Sequence, residues 1–393
     1  MTQTLEDRPR QLRPRNGLEE REDTRPARHA QRILIVLHDF SGGGTERAAI
    51  RLANQWACLG RRVRIFCGSE AGPARRLVGP DVQVEPAVPP IPRGFISRMR
   101  LGFALAHAAE RFRPDAVFAP GNFHLLVLAS FAARDRSGAT NFCKISNPLV
   151  RQDRRGLAGA LRFAVLKALT ARVDVLIAMS PALCSEATRL IGGNKISARW
   201  EPIFETGAAA SVSAVERDPG LIVAVGRLEP QKNFALAVEA MALLSRWTDA
   251  RLVIFGEGSE RARLTRMIAR LGLHQRVQLP GHAVDVERWL KRASCYLMTS
   301  RYEGYPASLV EALACATPVL VTPCSPALDE ILRHATVATV VEPDAGAIAY
   351  ALQGMLRRPR PQSIDPLLSN RHDVARVARS YLDLIDARLP LAV

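Results

Sequence analysis

Short continuous apolar runs alternate along this chain with longer segments in which apolar residues recur every three or four positions. The run at 33–37 is typical of a parallel strand that is buried on both faces. A glycine-rich turn follows at 41–44, and then one face of a predicted helix collects Ala48, Ala49, Leu52, Ala53 and Trp56. Gly60 ends this helix, and the next strand is predicted at 63–67. The pattern predicts a βαβ unit.

The alternation of strands and helices falls into two blocks. In the first block, further strands are predicted at 116–119 and 175–178. Residues 203–219 then lose periodicity and become rich in Ala, Ser and Gly, which indicates a linker. The second block restarts with predicted elements at 221–225 (strand), 234–247 (helix), 252–255 (strand), 259–271 (helix) and 277–279 (strand). Two such blocks predict an α/β protein with two doubly wound, Rossmann-like domains that face a central cleft.

Length and composition agree with two globular domains. A chain of 393 residues is too long for one ordinary core, and 48% hydrophobic with 23% charged residues is typical of a globular enzyme. We predict domains at 31–203 and 220–371, joined by a linker at 204–219. Residues 1–30 are charged and contain Pro without an apolar segment, which predicts a disordered tail and no signal peptide.

Cysteine usage and hydropathy indicate a cytoplasmic protein. The seven Cys residues are scattered and form no C-x2-C pair. This favours reduced thiols over a disulfide framework or a zinc ribbon. No apolar run reaches the roughly 18 residues that a bilayer-spanning helix requires.

The formal net charge of +16 points to an anionic partner or to a highly solvated surface. Basic residues at 151–167 are interleaved with leucines and a phenylalanine, as in an amphipathic helix that lies on anionic lipid. A solvated helix face would carry the same charges, and both interpretations stay open. Aromatic residues for base stacking are sparse, so no nucleic acid is expected. The clustered basic residues are Arg93, Arg98, Arg100, Arg111, Arg113, Arg151, Arg154, Arg155, Arg162 and Lys167.

Two carboxylates follow a predicted strand at 295–298, where a short Gly/Pro loop leads into an alanine-rich helix. Glu303 lies in the loop, and Glu311 lies about two helical turns later. Ligands of open α/β sheets bind outside the carboxyl ends of the strands. Loop amides at a helix start already favour anions, so we expect both acids to accept hydrogen bonds from ligand hydroxyls.

The glycines Gly42, Gly43 and Gly44 allow a backbone to approach a ligand more closely than a Cβ would permit. A tight turn between strand and helix is the simpler explanation of the same glycines. A dinucleotide-binding fold is a further alternative, with Glu70 as the acceptor for the ribose. Residues 48–50 offer no third glycine for helix packing, which argues against it.

Five motifs, in this order, resemble those of the retaining nucleotide-sugar glycosyltransferases of the GT-B fold, the large family with a Glu-x7-Glu motif. That family includes bacterial mannosyl-, glucosyl- and N-acetylhexosaminyltransferases, and the resemblance covers approximately residues 32–384. The motifs are Gly43-Gly44-Thr45-Glu46, Val225-Gly226-Arg227-Leu228-Glu229-Pro230-Gln231-Lys232-Asn233, Gly256-Glu257-Gly258, Gly281 with Asp285, and Glu303 with Glu311.

The resemblance implies a nucleotide-sugar donor site in the C-terminal domain. Arg227 and Lys232 would stabilise the leaving nucleoside diphosphate in place of a metal ion, although a surface pair at a helix start is the simpler alternative. Glu303 would bind sugar hydroxyls and Glu311 ribose hydroxyls. Front-face attack with retention requires no protein nucleophile, and no cofactor or metal is expected. Further donor contacts are implied for Gly43, Gly44, Gly226, Glu257, Gly304 and Tyr305.

The N-terminal domain would hold the acceptor, and a C-terminal helix at 372–393 would pack back across it. His124 follows the strand at 116–119, faces the expected cleft and resembles the family's acceptor-side histidine near the reacting sugar. A structural histidine at a strand end is the alternative. At 324–330 the chain departs from the small residues usual in relatives. Pro326 lacks an N–H there, so we expect a reshaped sugar pocket.

We therefore expect a hexosyltransferase that moves a hexose or N-acetylhexosamine from a UDP- or GDP-sugar to a hydroxyl acceptor. The expected acceptor is a lipid-linked glycan or surface polysaccharide precursor, at the inner face of the cytoplasmic membrane. The alternative from another class is a catalytically inactive basic adaptor with the same fold that binds membrane or nucleic acid. Nucleotide affinity separates the two, because an adaptor would bind neither UDP nor GDP.

Overall fold

A computed structural model places the chain in two α/β blocks. The structure describes residues 29–149, 157–205, 216–282, 285–333, 335, 337–358 and 365–390. Most of the predicted tail and linker lie outside these residues, and so do Arg151, Arg154 and Arg155 of the predicted basic helix.

The first block forms, among the described residues, a parallel sheet of seven strands. They are β1 (Arg32–Leu37), β2 (Arg62–Cys67), β3 (Gln83–Pro86), β4 (Ala116–Ala119), β5 (Thr140–Ile145), β6 (Val175–Ala178) and β7 (Ile196–Ala198). Their order is β3-β2-β1-β4-β5-β6-β7. The direction of winding reverses between β1 and β4, which opens a crevice at the carboxyl edge of the sheet.

The second block repeats this arrangement with six described strands. They are β8 (Leu221–Val225), β9 (Arg251–Phe255), β10 (Val277–Gly281), β11 (Cys295–Met298), β12 (Val319–Val321) and β13 (Ala338–Val340). Their order is β10-β9-β8-β11-β12-β13, so the reversal lies between β8 and β11. The predicted pair of doubly wound domains is confirmed.

Helices cover both faces of each sheet, which explains why the central strands are continuous apolar runs. In the first block they are α1 (Gly44–Cys58), α2 (Ser97–Phe112), α3 (Leu125–Ala132), α4 (Leu157–Ala171) and α5 (Pro181–Ile191). In the second block they are α6 (Phe234–Leu244), α7 (Arg261–Arg270), α8 (Val286–Arg292), α9 (Ala307–Ala314), α10 (Leu328–Leu332), α11 (Ala345–Leu356) and α12 (Pro366–Arg371). The chain then continues into a C-terminal helix, α13 (Val374–Arg388).

The observed elements differ from the predicted ones at the end of one helix and in one strand with polar residues. The helix predicted at 234–247 ends at Leu244, because Trp247 donates its N–H to Leu244 O in a closing turn. Strand β5 carries Asn141 and Lys144, so its sequence lacks the continuous apolar run that marks its neighbours. Helix α4 confirms a helix over the part of the predicted basic segment that is described.

The C-terminal helix α13 packs on the N-terminal block. Its apolar face joins the core formed by α1 and the first sheet. Trp56 of α1 donates its indole N–H to Ala378 O at 3.0 Å, and Arg61 pairs with Asp386 at 3.0 Å. Helix α13 therefore ties the second block to the first. Among the described residues, no helix combines the length and the apolar character needed to cross a bilayer.

Candidate active site

A cavity of approximately 510 Å³ lies between the two blocks, at the carboxyl edges of both sheets. The first block contributes the turn after β1 and the end of β5, and the second block contributes the loops after β8, β9 and β11. This is the location that the winding reversals of both sheets predict. Eight of the predicted site residues line it: Gly43, Gly44, Gly226, Arg227, Lys232, Glu303, Tyr305 and Glu311.

The loop after β8 presents two cations to this cavity. Gly226 has a φ of 156°, and a Cβ there would meet the Lys232 side chain at 2.8 Å, so glycine leaves room for the lysine to cross the loop. Arg227 is exposed and forms no ion pair with any described residue. Its guanidinium is therefore available to an anionic ligand.

Lys232 is held by a carboxylate from the neighbouring loop after β11. Its Nζ donates to Glu303 Oε1 at 2.6 Å, and Ser300 Oγ donates to the same oxygen at 2.7 Å. Gln231 ties the two loops together further, since its side chain donates to Tyr302 O at 3.0 Å. Glu303 is only 6% exposed, so this network fixes both a cation and a carboxylate at the cavity wall.

Glu311 faces the first block from the first turns of α9. Burial raises the pKa of its carboxyl, while the nearby Arg51, Arg47 and Lys232 charges oppose that rise. Arg47 and Arg51 are on α1 and also line the cavity. The carboxylate thus lies opposite the cationic face of α1. Neither arginine was predicted from the sequence, although their i, i+4 spacing behind the glycine turn places both on one face of a helix.

A buried ion pair in the cavity wall was also not foreseen from the sequence. Lys144 of β5 donates to both oxygens of Glu201 at 2.8 Å, and the two side chains are 1% and 8% exposed. The signal was available, because Lys144 is one of only five lysines and interrupts a buried strand. Such a pair is costly to break, since removing one partner leaves a buried charge without compensation.

Tyr305 connects the cavity to the C-terminal segment. His372 Nδ1 lies 2.9 Å from Glu201 O, which can only accept, so that nitrogen carries the proton. His372 Nε2 is then the acceptor, and the Tyr305 hydroxyl donates to it at 2.9 Å. Burial lowers the pKa of His372 to about 4, which keeps the ring neutral. Tyr305 borders the cavity as expected, but its hydroxyl is engaged in this structural link.

His124 does not line the cavity, contrary to the expectation that it faces the cleft. His124 is the last residue of a short 3-10 turn, in which its backbone N–H donates to Gly121 O at 2.9 Å. The residue is buried there and is only 3% exposed. The Phe123 ring packs edge-on against both His124 and His38, with ring centres 5.3 and 5.5 Å apart. Burial lowers the pKa of His124 to about 3, so the imidazole is neutral.

Two further predicted donor residues lie beside the cavity without lining it. Gly304 packs against the first block, where a Cβ would overlap Ser146 O. Glu257 is not part of the cavity lining and pairs with Arg261 at 2.6 Å, and this guanidinium lowers the pKa of its carboxyl. Their direct contacts to a ligand are therefore not supported by their positions.

The departure at 324–330 also lies outside the cavity lining. Ser325 Oγ donates to Gly304 O at 2.6 Å, and Cys324 O accepts from Glu303 N at 2.7 Å. Glu330 accepts from Ala182 N of the first block at 2.8 Å. The run thus supports the loop that carries Glu303, and the expected reshaping of the pocket would act through that loop.

The described residues contain no group of three His, Cys, Asp or Glu side chains placed to hold a metal ion. The charges at the cavity come instead from paired and unpaired side chains of both signs. The basic members of the lining are Arg47, Arg51, Lys144, Arg227 and Lys232, and the acidic members are Glu201, Asp285, Glu287, Glu303 and Glu311.

Family comparisons cover most of both blocks. Residues 43–198 match the family described as Glycosyl transferase 4-like domain. Residues 209–367 match the family described as Glycosyl transferases group 1. The first match includes Gly43, Gly44 and β5, and the second includes Arg227, Lys232, Glu303 and Glu311.

Individual relatives match over shorter stretches. The N-acetylgalactosamine-N,N'-diacetylbacillosaminyl-diphospho-undecaprenol 4-alpha-N-acetylgalactosaminyltransferase of Campylobacter jejuni is 33% identical over 123 residues, 31% of this chain and 33% of the relative. The GDP-mannose-dependent alpha-(1-6)-phosphatidylinositol dimannoside mannosyltransferase of Mycobacterium tuberculosis is 35% identical over 143 residues, 35% of this chain and 36% of the relative. The chain thus spans about a third of the length of these curated relatives.

Solved structures of other proteins share this fold over nearly the whole length of the chain. The crystal structure of Anabaena HepE in complex with UDP and glucose superimposes with a TM-score of 0.72 and 18% identity, covering 91% of this chain and 100% of that chain. At this identity the similarity shows the shared arrangement of two Rossmann-like domains.

Proposed function

Because the chain belongs to the GT-B glycosyltransferases, we propose that it transfers a hexose or N-acetylhexosamine from a UDP- or GDP-sugar to a hydroxyl acceptor. The observation that carries the proposal is one cavity that combines Arg227 and Lys232 with the carboxylates Glu303 and Glu311. Cations suit a diphosphate, and carboxylates suit the hydroxyls of a sugar and a ribose.

The cations supply what the breaking glycosidic bond requires. Negative charge grows on the departing diphosphate, and fixed donors that already point at this position stabilise the transition state without reorganising. We propose that this occurs without a metal ion and with retention at the anomeric carbon. The departing phosphate then assists deprotonation of the acceptor hydroxyl, so that no protein nucleophile is needed.

The two blocks divide the substrates between them. The donor residues lie on loops of the second block, and the first block closes the opposite side of the cavity with the glycine turn and α1. We propose that the acceptor enters from the first block and is a lipid-linked glycan or polysaccharide precursor. Relatives that act on undecaprenol-linked and phosphatidylinositol-linked substrates support this class of acceptor.

A donor screen tests the proposal directly. Titration with UDP and GDP should show saturable binding of one nucleotide, and radiolabelled sugars carried on that nucleotide should be transferred to a lipid extract. Arg227→Ala should lower transfer at least about a hundredfold in the same assay. An absence of affinity for either nucleotide would favour the inactive basic adaptor instead.

Glu311 should make nucleotide affinity depend on pH. Burial raises the pKa of this carboxyl, so protonation begins at a higher pH than for an ordinary glutamate. A protonated carboxyl accepts ribose hydroxyls less well, and affinity for the nucleoside diphosphate should fall as the pH is lowered from about 8 to about 5. The nucleotide phosphates also titrate in this range, so the informative quantity is the difference between wild type and Glu311→Gln, measured by calorimetry. Parallel pH curves for the two proteins would contradict this role.

A further inference from the structure

The loop after β5 lies against the loop that carries Glu303, at the wall of the cavity. Ser146 and Asn147 follow β5 directly, and both line the cavity. Gly304 packs so closely here that a Cβ would lie 2.3 Å from Ser146 O and 3.1 Å from Asn147 Cα. Asn147 therefore lies where the first block meets the part of the second block that we assign to the donor sugar.

A neighbouring asparagine holds the backbone of this loop. Asn122 Oδ1 accepts from the Ser146 N–H at 2.7 Å and from the Asn147 N–H at 3.2 Å. Its Nδ2 donates to Asn147 O at 2.9 Å, and its backbone N–H donates to Ser146 Oγ at 3.3 Å. These contacts of one residue fix the conformation of the loop, so the position of the Asn147 side chain is set before a ligand arrives.

The Asn147 amide keeps most of its own hydrogen-bonding capacity. Its Nδ2 reaches Ser146 Oγ only at 3.5 Å, the limit for a hydrogen bond, and its Oδ1 has no partner among the described residues. The side chain is half-buried and borders the cavity. An amide in this position can accept from one sugar hydroxyl and donate to the next.

The remaining polar side chains of the first-block wall are less suited to this task. Lys144 and Glu201 neutralise each other at 2.8 Å. Among the described cavity-lining residues of the first block, the uncharged polar side chains are Thr45, Ser146 and Asn147. Of these, only the amide offers a donor and an acceptor on separate atoms. The donor residues proposed above lie on loops of the second block, so the contacts of Asn147 are left for the acceptor.

We propose that Asn147 binds the acceptor, and that it recognises two neighbouring hydroxyls of a sugar ring. One hydroxyl donates to Oδ1, and the other accepts from Nδ2. Asn122 is then a positioning residue that acts through Asn147. The acceptor class is a glycan whose terminal sugar carries vicinal hydroxyls, and not a simple alcohol. This inference rests on the proposed function and deepens it, since it names the residues that hold the acceptor.

Transfer to a membrane lipid extract, compared with hydrolysis of the donor by water, separates acceptor contacts from donor contacts. Asn147→Ala should raise the half-saturating amount of extract about tenfold, because two hydrogen bonds are lost. Nucleotide affinity and donor hydrolysis without extract should stay within about twofold of wild type. A parallel loss of transfer and hydrolysis would place Asn147 on the donor sugar. That result, or unchanged saturation by the extract, would overturn the proposal.

Periodate treatment of the extract tests the class of acceptor. Periodate cleaves the bond between carbons that carry vicinal hydroxyls, and the treated extract should no longer accept sugar from the wild type. Purified phosphatidylglycerol carries a vicinal diol without a sugar ring and should not replace the extract. Full transfer to treated extract, or efficient transfer to phosphatidylglycerol, would contradict recognition of a sugar ring.

Variants of Asn122 test the positioning role. Asn122→Ala should raise the half-saturating amount of extract as Asn147→Ala does, and the double variant should add nothing, because both act through one contact. Asn122→Asp keeps an acceptor for the two backbone N–H groups and should restore most of the loss. Additive effects in the double variant would show that Asn122 does not act through Asn147.

Asn54 supplies a matched control in the first block. It joins two segments in the same way, since its Nδ2 donates to Leu77 O at 2.9 Å and its Oδ1 accepts from the Gly79 N–H at 2.9 Å, but it does not line the cavity. Asn54→Ala should be saturated by the extract like wild type, and an equal loss there would overturn the assignment. Absence of nucleotide affinity in wild type would instead reject the proposed function.

Discussion

Arg227→Ala and Lys232→Ala should each lower the turnover of sugar transfer at least about a hundredfold. Both cations line the cavity on one loop, and their charges match the charge that grows on a leaving diphosphate. Removing a preorganised donor of this kind costs about 3 kcal/mol of transition-state stabilisation. The measurement is kcat for donor consumption, with circular dichroism as the check on folding.

The two variants should differ in a way that the structure specifies. Arg227 has no ion-pair partner among the described residues, so its loss should leave the thermal midpoint unchanged. Lys232 balances the buried Glu303 at 2.6 Å, so its loss leaves that carboxylate without its cation and should also lower the midpoint.

A control and a chelator complete this test. Arg301 is an exposed arginine on the loop after β11 that does not line the cavity, and Arg301→Ala should retain full turnover. Activity should also survive treatment with a chelator, because the two side chains take the place of a metal ion in our proposal. A reversible loss of activity on chelation would contradict the proposal that Arg227 and Lys232 act in place of a metal ion.

The architecture was predictable because parallel strands buried on both faces leave a clear signal. Residues 221–225 and 295–298 were predicted as strands from continuous apolar runs, and β8 and β11 have these bounds. Strand β5 was not predicted, because Lys144 interrupts its apolar run. The charge of Lys144 is balanced by Glu201, which lies 57 positions away in the chain. A long-range ion pair of this kind makes a polar residue compatible with a core, and no local pattern encodes it.

The positions of site residues were predictable where a residue comes directly after a strand. The direction in which a side chain points was less predictable. Arg227 and Glu303 follow the strands β8 and β11, and the edge of the sheet brings them together. His124 also follows a strand, but a single 3-10 turn directs its ring into the core. Strand position fixes the edge on which a residue lies, whereas the turn fixes where its side chain points.

Removing the charge of Glu303 and removing that of Glu311 should have different effects on affinity for the nucleoside diphosphate. Glu303→Gln should lower transfer at least about a hundredfold and leave affinity for the free nucleoside diphosphate unchanged or higher. The reason for the second part is the ion pair of 2.6 Å, since loss of the Glu303 charge frees Lys232 for the phosphates. Glu311→Gln should weaken nucleoside diphosphate binding, because the ribose belongs to that ligand.

Calorimetric titration of the nucleoside diphosphate, together with turnover on the complete donor, separates the two roles. Glu287→Gln is the matched control, since Glu287 lines the same cavity but is exposed and paired with Lys291 at 2.6 Å. It should change neither quantity beyond about twofold, as expected for an exposed ion pair. Equal losses of nucleotide affinity in the Glu303 and Glu311 variants would contradict the division of roles. They would indicate that both carboxylates act mainly by fixing the cationic loop, as the contacts of Glu303 with Lys232 and Gln231 already allow.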